Sequence, residues 1–238
     1  MDPKEVVILA GGMGNRIQSI SKGIPKCMMR IGSKPFLYHL LLQFEKLGAD
    51  KIILAIANKN EYIIKFINET FRAELDSGKI VFSNEKVQSG TGGALLTAVD
   101  QIQSEVFLVS NADTIIPGLS NVIWSTLNKN MNFLIFLAEM AGPRFSYVKT
   151  DDTHIIDTLG PNETSGKTSS GLVLARKSFI TRLTLGSPFS LEIDVLRDEI
   201  RHRKVGFKIV GDFIDFGVPE DFARASEQYK NKEGSIFG

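Results

Sequence analysis

The chain has 238 residues, 43% apolar and 23% charged, enough apolar material for one large α/β core and none of the bias of a disordered chain. Its formal net charge of +1 removes any electrostatic argument for a nucleic-acid or acidic-membrane partner. The single cysteine, Cys27, excludes an internal disulfide framework and a multi-cysteine metal site, and no run of about 18 apolar residues offers a membrane span. Residues 1–5 are polar and the apolar run after them stops at Gly11. That pattern lacks a signal-peptide core, and the expectation is a cytoplasmic protein.

The first element is Val6-Val7-Ile8-Leu9-Ala10, an apolar run without polar alternation. It predicts a strand buried on both faces. A glycine-rich loop follows at once, Gly11-Gly12-Met13-Gly14-Asn15-Arg16. Three glycines in four positions let backbone N–H groups turn toward an anion. Arg16 and Lys26 bring two cations to the same neighbourhood. Backbone donors plus fixed cations suit a polyphosphate. Residues 35–47 predict a helix with Pro35 first, Leu37, Leu40, Leu41, Phe44 and Leu47 on one face, and Gly48 as its stop. Residues 52–57 predict a second buried strand, 61–71 a second helix and 79–82 a third strand. A second glycine-rich loop, 89–93, precedes a helix over 94–102. Residues 106–109 predict a fourth strand ending in Ser110-Asn111-Ala112-Asp113.

Strand–loop–helix alternation at this spacing predicts a mostly parallel sheet covered on both faces. Ligands of such sheets sit beyond the carboxyl ends of the strands, which puts Asp113 within reach of the glycine loop. After residue 116 the pattern changes. A helix over 121–127 is followed by short β-like pieces at 133–139, 147–149, 154–157 and 170–175. A helix at 191–201, strands at 207–210 and 213–216, a helix at 220–229 and a frayed tail at 230–238 complete the reading. There is no linker or repeat. The expected architecture is α/β: a Rossmann-like mixed, mainly parallel sheet flanked by helices, with a more antiparallel second half. It forms one domain, 1–238, made of halves 1–115 and 116–238.

Two phosphate motifs are set aside. The opening loop is not G-x-G-x-x-G, because Ile17 stands where the third glycine belongs. Residues 160–168, GPNETSGKT, place five residues between the glycines of a P-loop instead of four, and a β-like run follows rather than a helix.

Residues 9–16, LAGGMGNR, with Pro25-Lys26, resemble the L-A-G-G-x-G-T-R and P-K signature of the sugar-1-phosphate nucleotidyltransferases. Residues 32–37 (GSKPFL), Glu85 with 90–94 (GTGGA), Asn111-Ala112-Asp113, 189–192 (FSLE) and 213–222 (FIDFGVPEDF) are similar to that family's later blocks. The spacing after the first loop is most like that of the guanylyltransferases for heptose 1-phosphate. The resemblance implies the nucleotidyltransferase fold, with a nucleotide-binding half and a sugar-binding half. It implies in-line attack of a sugar-phosphate oxygen on the α-phosphorus of a nucleoside triphosphate, forming an NDP-sugar for surface polysaccharide such as capsule. Catalysis is then positioning and charge neutralisation, with Arg16 on the triphosphate and leaving pyrophosphate and Lys26 on the α-phosphate. Leu9, Gly11, Gly12, Met13, Gly14, Asn15, Glu85, Gly90, Thr91 and Asn111 would bind the nucleotide. Asp113 and Asp215 would hold Mg²⁺, and Arg144, Glu163, Lys167 and Glu192 would face the sugar phosphate.

Glu85 bears on the base. A carboxylate accepts from guanine N1–H and N2–H₂ together, whereas uracil offers one such donor, so GTP is favoured. The sugar half departs from the family. Asn162-Glu163-Thr164 stands where Glu-Lys is common, and Ser169-Ser170-Gly171 where Asn-Ala-Gly is. Lys167 and Arg144 are the substitute cations. The same chemistry with CTP or UTP, or with mannose or glucose 1-phosphate, stays open. So do a weakly active NDP-sugar-binding paralogue and a homodimer through apolar strands of the second half.

Overall fold

The computed structural model describes residues 2–12, 18–57, 60–141, 147–158, 165–215 and 217–229. The chain opens with β1 (Glu5–Leu9), then α1 (Gln18–Ser21), a single 3₁₀ turn Lys26–Met28, β2 (Arg30–Ile31), β3 (Lys34–Pro35) and α2 (Phe36–Lys46). It continues through β4 (Lys51–Ala57), α3 (Glu61–Thr70), α4 (Arg72–Asp76), β5 (Ile80–Glu85), α5 (Gly90–Ala98), β6 (Val106–Asn111) and β7 (Thr114–Ile115). The second half supplies β8 (Phe133–Ala141), β9 (Val148–Thr150), β10 (Ile155–Thr158), β11 (Ser165–Arg176) and α6 (Lys177–Ile180). A π-helical turn, Leu191–Leu196, runs into α7 (Arg197–Arg201), and β12 (Val205–Ile209), β13 (Ile214–Asp215) and α8 (Pro219–Tyr229) follow.

Seven strands form one sheet in the order β12-β8-β11-β6-β1-β4-β5. β1 pairs in parallel with β4 and β6, β4 with β5, and β12 with β8, while β11 runs antiparallel to both β6 and β8. The expected mixed, mainly parallel sheet is therefore present, and its antiparallel part lies in the second half. Side chains of β1 alternate between two cores, as a period of two requires. Val6 and Ile8 join the cluster under α2 and α3, and Val7 joins the one under α5 and the π-helical turn. All three are fully buried. Each such side chain contributes about 1.5–3 kcal/mol on burial, so the strand that launches the glycine loop is anchored from both sides.

Some boundaries differ from the sequence pattern. Pro35 caps α2 instead of starting it, in extended backbone. The second glycine stretch is not a loop: α5 begins at Gly90. β11 starts at Ser165, so the stretch that mimics a P-loop ends in a strand. A π-helical turn starts at Leu191, capped by Ser190, whose side chain accepts from the Ile193 N–H. Among the described residues no helix is long and apolar enough to cross a membrane.

One buried side chain fixes the relation of β1 to β6. Glu5 is 1% exposed, and its Oε2 accepts from the Gln103 and Ser104 N–H groups at 2.7 and 2.6 Å and from the Ser104 hydroxyl at 2.8 Å. Substituting Glu5→Ala strands those donors below the sheet. Urea denaturation is expected to show a loss of about 3 kcal/mol, the scale of leaving buried donors unsatisfied. A loss below about 1 kcal/mol contradicts this anchoring role.

Candidate active site

β1 leads on to β4 and β5 on one side, and the chain then returns to β6 on the other, so the sheet order reverses beside β1. Crevices open at such switch points, beyond the carboxyl ends of the strands. Leu9 is level with Asn111 across β6 and with Ala55 across β4, and Ala57 is level with Glu85 across β5. This register gathers Gly11, Asn111 and Glu85 on one rim. The cleft there has a volume of about 670 Å³. Of the residues expected at the site, Leu9, Gly11, Gly12, Lys26, Glu85, Gly90, Thr91, Asn111, Asp113 and Glu192 line it.

The charged centre comes from three distant segments. Lys26 stands on the 3₁₀ turn, which the buried Cys27 plants in the core. Its Nζ donates to Asp113 Oδ2 at 2.5 Å and lies 3.9 Å from Asp215 Oδ1. Asp113 follows β6 directly. Asp215 reaches it through a small ladder, β7 against β13, in which Asp215 is level with Thr114. The Gly217 N–H donates to Asp215 Oδ1 at 2.7 Å, and the Thr114 hydroxyl to Asp113 Oδ1 at 3.2 Å. Side-chain exposures of 12% for Lys26, 30% for Asp113 and 20% for Asp215 leave the cluster open to a ligand yet sheltered from bulk water. The two carboxylates converge on one cation, an all-oxygen donor set that also fits a hard divalent ion.

The opposite wall joins the start of α5 to the segment before the π-helical turn. The Phe189 N–H donates to the Ser89 carbonyl at 3.0 Å and the Gly92 N–H to the Phe189 carbonyl at 3.1 Å. The Thr91 hydroxyl donates to Glu192 Oε2 at 2.8 Å and accepts from the Leu191 N–H at 2.9 Å. Gly90, at φ +78°, has no room for a side chain, since a Cβ would lie 2.3 Å from the Phe189 carbonyl oxygen; at Gly92 it would lie 2.3 Å from the Phe189 ring. These glycines therefore serve the close packing of α5 on Phe189.

Other expected residues fall elsewhere. Lys167 does not line the cleft. It pairs across the ladder with Glu139, donates to the Thr150 hydroxyl at 2.9 Å and sits 5.3 Å from the Phe207 ring centre. By register the long β11 strand carries it past the carboxyl end of β6, outside the cleft lining. Met13, Gly14, Asn15, Arg16, Arg144 and Glu163 lie outside the described residues. Gln88, Pro188 and Gly217 line the cleft without having been singled out. Gln88 lies between Glu85 and the second glycine stretch, and that position was its only signal.

Residues 5–232 match the model of the nucleotidyl transferase family, and the chain belongs to that family. The D-glycero-alpha-D-manno-heptose 1-phosphate guanylyltransferase of Aneurinibacillus thermoaerophilus is 29% identical over 231 residues, covering 95% of this chain and 99% of that one. The enzyme of the same name from Campylobacter jejuni is 32% identical over 222 residues, covering 92% and 96%. Among solved structures, HddC from Yersinia pseudotuberculosis complexed with GMP-PN is similar at a TM-score of 0.80 and 32% identity, covering 95% of this chain and 100% of that one. The inositol-1-phosphate CTP transferase from T. maritima has the same fold, at a TM-score of 0.78 and 17% identity.

Two checks follow from the packing of this site. Burial, with the Asp113 charge beside it, pushes the Cys27 thiol up to about 12. The native protein at about pH 8 is expected not to react with a disulfide reagent, and the denatured chain to react, since only the thiolate attacks. Labelling of the native thiol within minutes contradicts its burial. Gly92→Ala is expected to lower stability in urea by about 1–3 kcal/mol, the range for overpacking; an unchanged midpoint contradicts the fit of Phe189.

Proposed function

We propose that this chain transfers a nucleoside monophosphate, from GTP by preference, to a sugar 1-phosphate, with heptose 1-phosphate the favoured acceptor, and releases pyrophosphate. The observation that carries the reading is the Lys26–Asp113–Asp215 cluster, whose Lys26 and Asp113 line the cleft together with Gly11 and Gly12. A polyphosphate needs backbone donors and a fixed cation at one place, and the switch point supplies both. The names of the heptose 1-phosphate guanylyltransferases that the chain resembles along nearly its whole length support the choice of acceptor and base. The continuous seven-stranded sheet supports reading 1–115 and 116–238 as two halves of one domain.

In this reading the acceptor's phosphate oxygen is already ionised and needs no catalytic base. A bond forms from it to the α-phosphorus, the bond to the bridging oxygen of the β-phosphate breaks, and pyrophosphate leaves with that electron pair. Lys26 holds the α-phosphate, whose charge is redistributed as the bonds exchange. Gly11 and Gly12 bring backbone close to the triphosphate, and Arg16 meets the leaving group. Asp113 and Asp215 hold Mg²⁺, which when bound neutralises phosphate charge. Glu85 faces the base. Glu192, with one oxygen held by Thr91 and Ser190, offers the other to sugar hydroxyls.

Pyrophosphate release from GTP, CTP and UTP, each with a panel of sugar 1-phosphates, tests the reading. GTP with heptose 1-phosphate is expected to be fastest. No release with any acceptor overturns the enzyme reading, and faster release from a pyrimidine nucleotide overturns the guanine preference. With the best pair, Lys26→Ala is expected to lower kcat by about 10²–10³-fold, as for loss of one donor to developing charge. Chelation of divalent ions is expected to abolish turnover and added Mg²⁺ to restore it; turnover that survives chelation removes Asp113 and Asp215 from this role.

A further inference from the structure

The base corner of the cleft holds a polar side chain that none of the motifs accounts for. Gln88 is exposed and lines the cleft beside Glu85. Its Nε2 donates to the Gly11 carbonyl at 3.0 Å. A carbonyl oxygen can only accept, so the chemistry of the partner decides which end of the carboxamide faces Gly11. The other end, Oε1, is thereby turned away from Gly11 and has no partner among the described residues. The loop backbone thus presets Gln88 as a hydrogen-bond acceptor.

Glu85 beside it is less available than its charge suggests. It is 6% exposed, and its Oε1 already accepts from the Ser89 hydroxyl. Its Oε2 lies close under Gly11, 3.4 Å from where a Cβ on that glycine would stand. Two acceptors three residues apart therefore flank Gly11: a buried carboxyl oxygen of Glu85 against the glycine, and at the exposed rim the carboxamide oxygen of the side chain that donates to its carbonyl. Among the common bases only guanine carries two adjacent donors, N1–H and the N2 amine. Adenine presents an acceptor at N1, uracil a single N–H between two carbonyls, and cytosine an acceptor beside its amine.

We propose that Gln88 is a base-specificity residue of this site: its Oε1 accepts from the guanine N2 amine while Glu85 faces N1–H, and the Gly11 carbonyl holds the carboxamide in that sense. This rests on the reading of the cleft as a guanine nucleotide site. It also ties base selection to the phosphate loop, because the peptide unit that locks Gln88 belongs to that loop.

The test compares GTP with ITP, which lacks only the N2 amine, by kcat/KM and by calorimetric affinity, on the native protein and two variants. Gln88→Met removes both donor and acceptor. Gln88→Lys keeps a donor for the Gly11 carbonyl and removes the acceptor. Thermal melts confirm that both variants are folded. The native protein is expected to prefer GTP over ITP by about tenfold or more, the scale of one hydrogen bond whose loss leaves a site group unpaired. In both variants the ratio is expected to fall toward unity. A ratio that keeps its native value in either variant, or a native protein indifferent between GTP and ITP, overturns the proposal. Faster turnover of CTP or UTP than of GTP by the native protein overturns the guanine reading and this proposal with it. A GTP-selective protein whose ratio survives both substitutions overturns only the role of Gln88.

Discussion

The ammonium of Lys26, held between the carboxylates of Asp113 and Asp215, is the contact on which the rest of the site depends. Its three members come from a single 3₁₀ turn, the end of a central strand and a two-residue strand near the end of the chain. None of these is stable alone. The turn is pinned by Cys27 in the core, and Asp113 by the pairing of β6 with β1. Asp215 is set by the short ladder of β13 on β7 and by the Gly217 N–H. The charges meet because apolar packing and backbone pairing have already placed their carriers. The sheltered position then keeps their mutual attraction from being screened as a surface pair would be.

Much of this was legible in the sequence, for physical reasons. A strand buried on both faces has no polar alternation, and Val6 to Ala10 shows none. The glycine loop and the Asn111–Asp113 segment each follow such a run, so their approach could be inferred from the rule that ligands bind where strand order reverses. Glu85 and Glu192, singled out by the resemblance, line the cleft. The boundaries in between were harder. Glycines read as loop, yet α5 starts at Gly90 because contact with Phe189, invisible in the local sequence, demands the absence of side chains. β11 extends to Ser165 through small polar residues with no apolar alternation, because pairing with β8 supplies what the pattern lacks.

Lys167 and Gln88 show the limits from opposite directions. A lysine near the expected acceptor segment looks like a phosphate ligand; in the fold its ammonium donates to the Thr150 hydroxyl and lies over the Phe207 ring. A glutamine in an exposed bend looks like solvent-facing filler, but the turn after β5 folds it back onto Gly11. Residue type and spacing report chemistry well where they recur in a signature. Which side of a strand or bend a lone polar residue occupies is a tertiary fact.

The burial of β1 on both faces has a consequence for motion. An amide in Val6, Val7 or Ile8 lies between two parallel neighbours and under two cores, so its exchange with solvent deuterium requires unfolding of the whole sheet. Gly12, four residues further along, is exposed. Between those residues the protection factor must fall from its global maximum toward that of an open loop. The backbone at Gly11 and Gly12 thus continues from a strand held on both edges and both faces. Its excursions are those of a short tether on a rigid post, and the post returns it to the same place after each one.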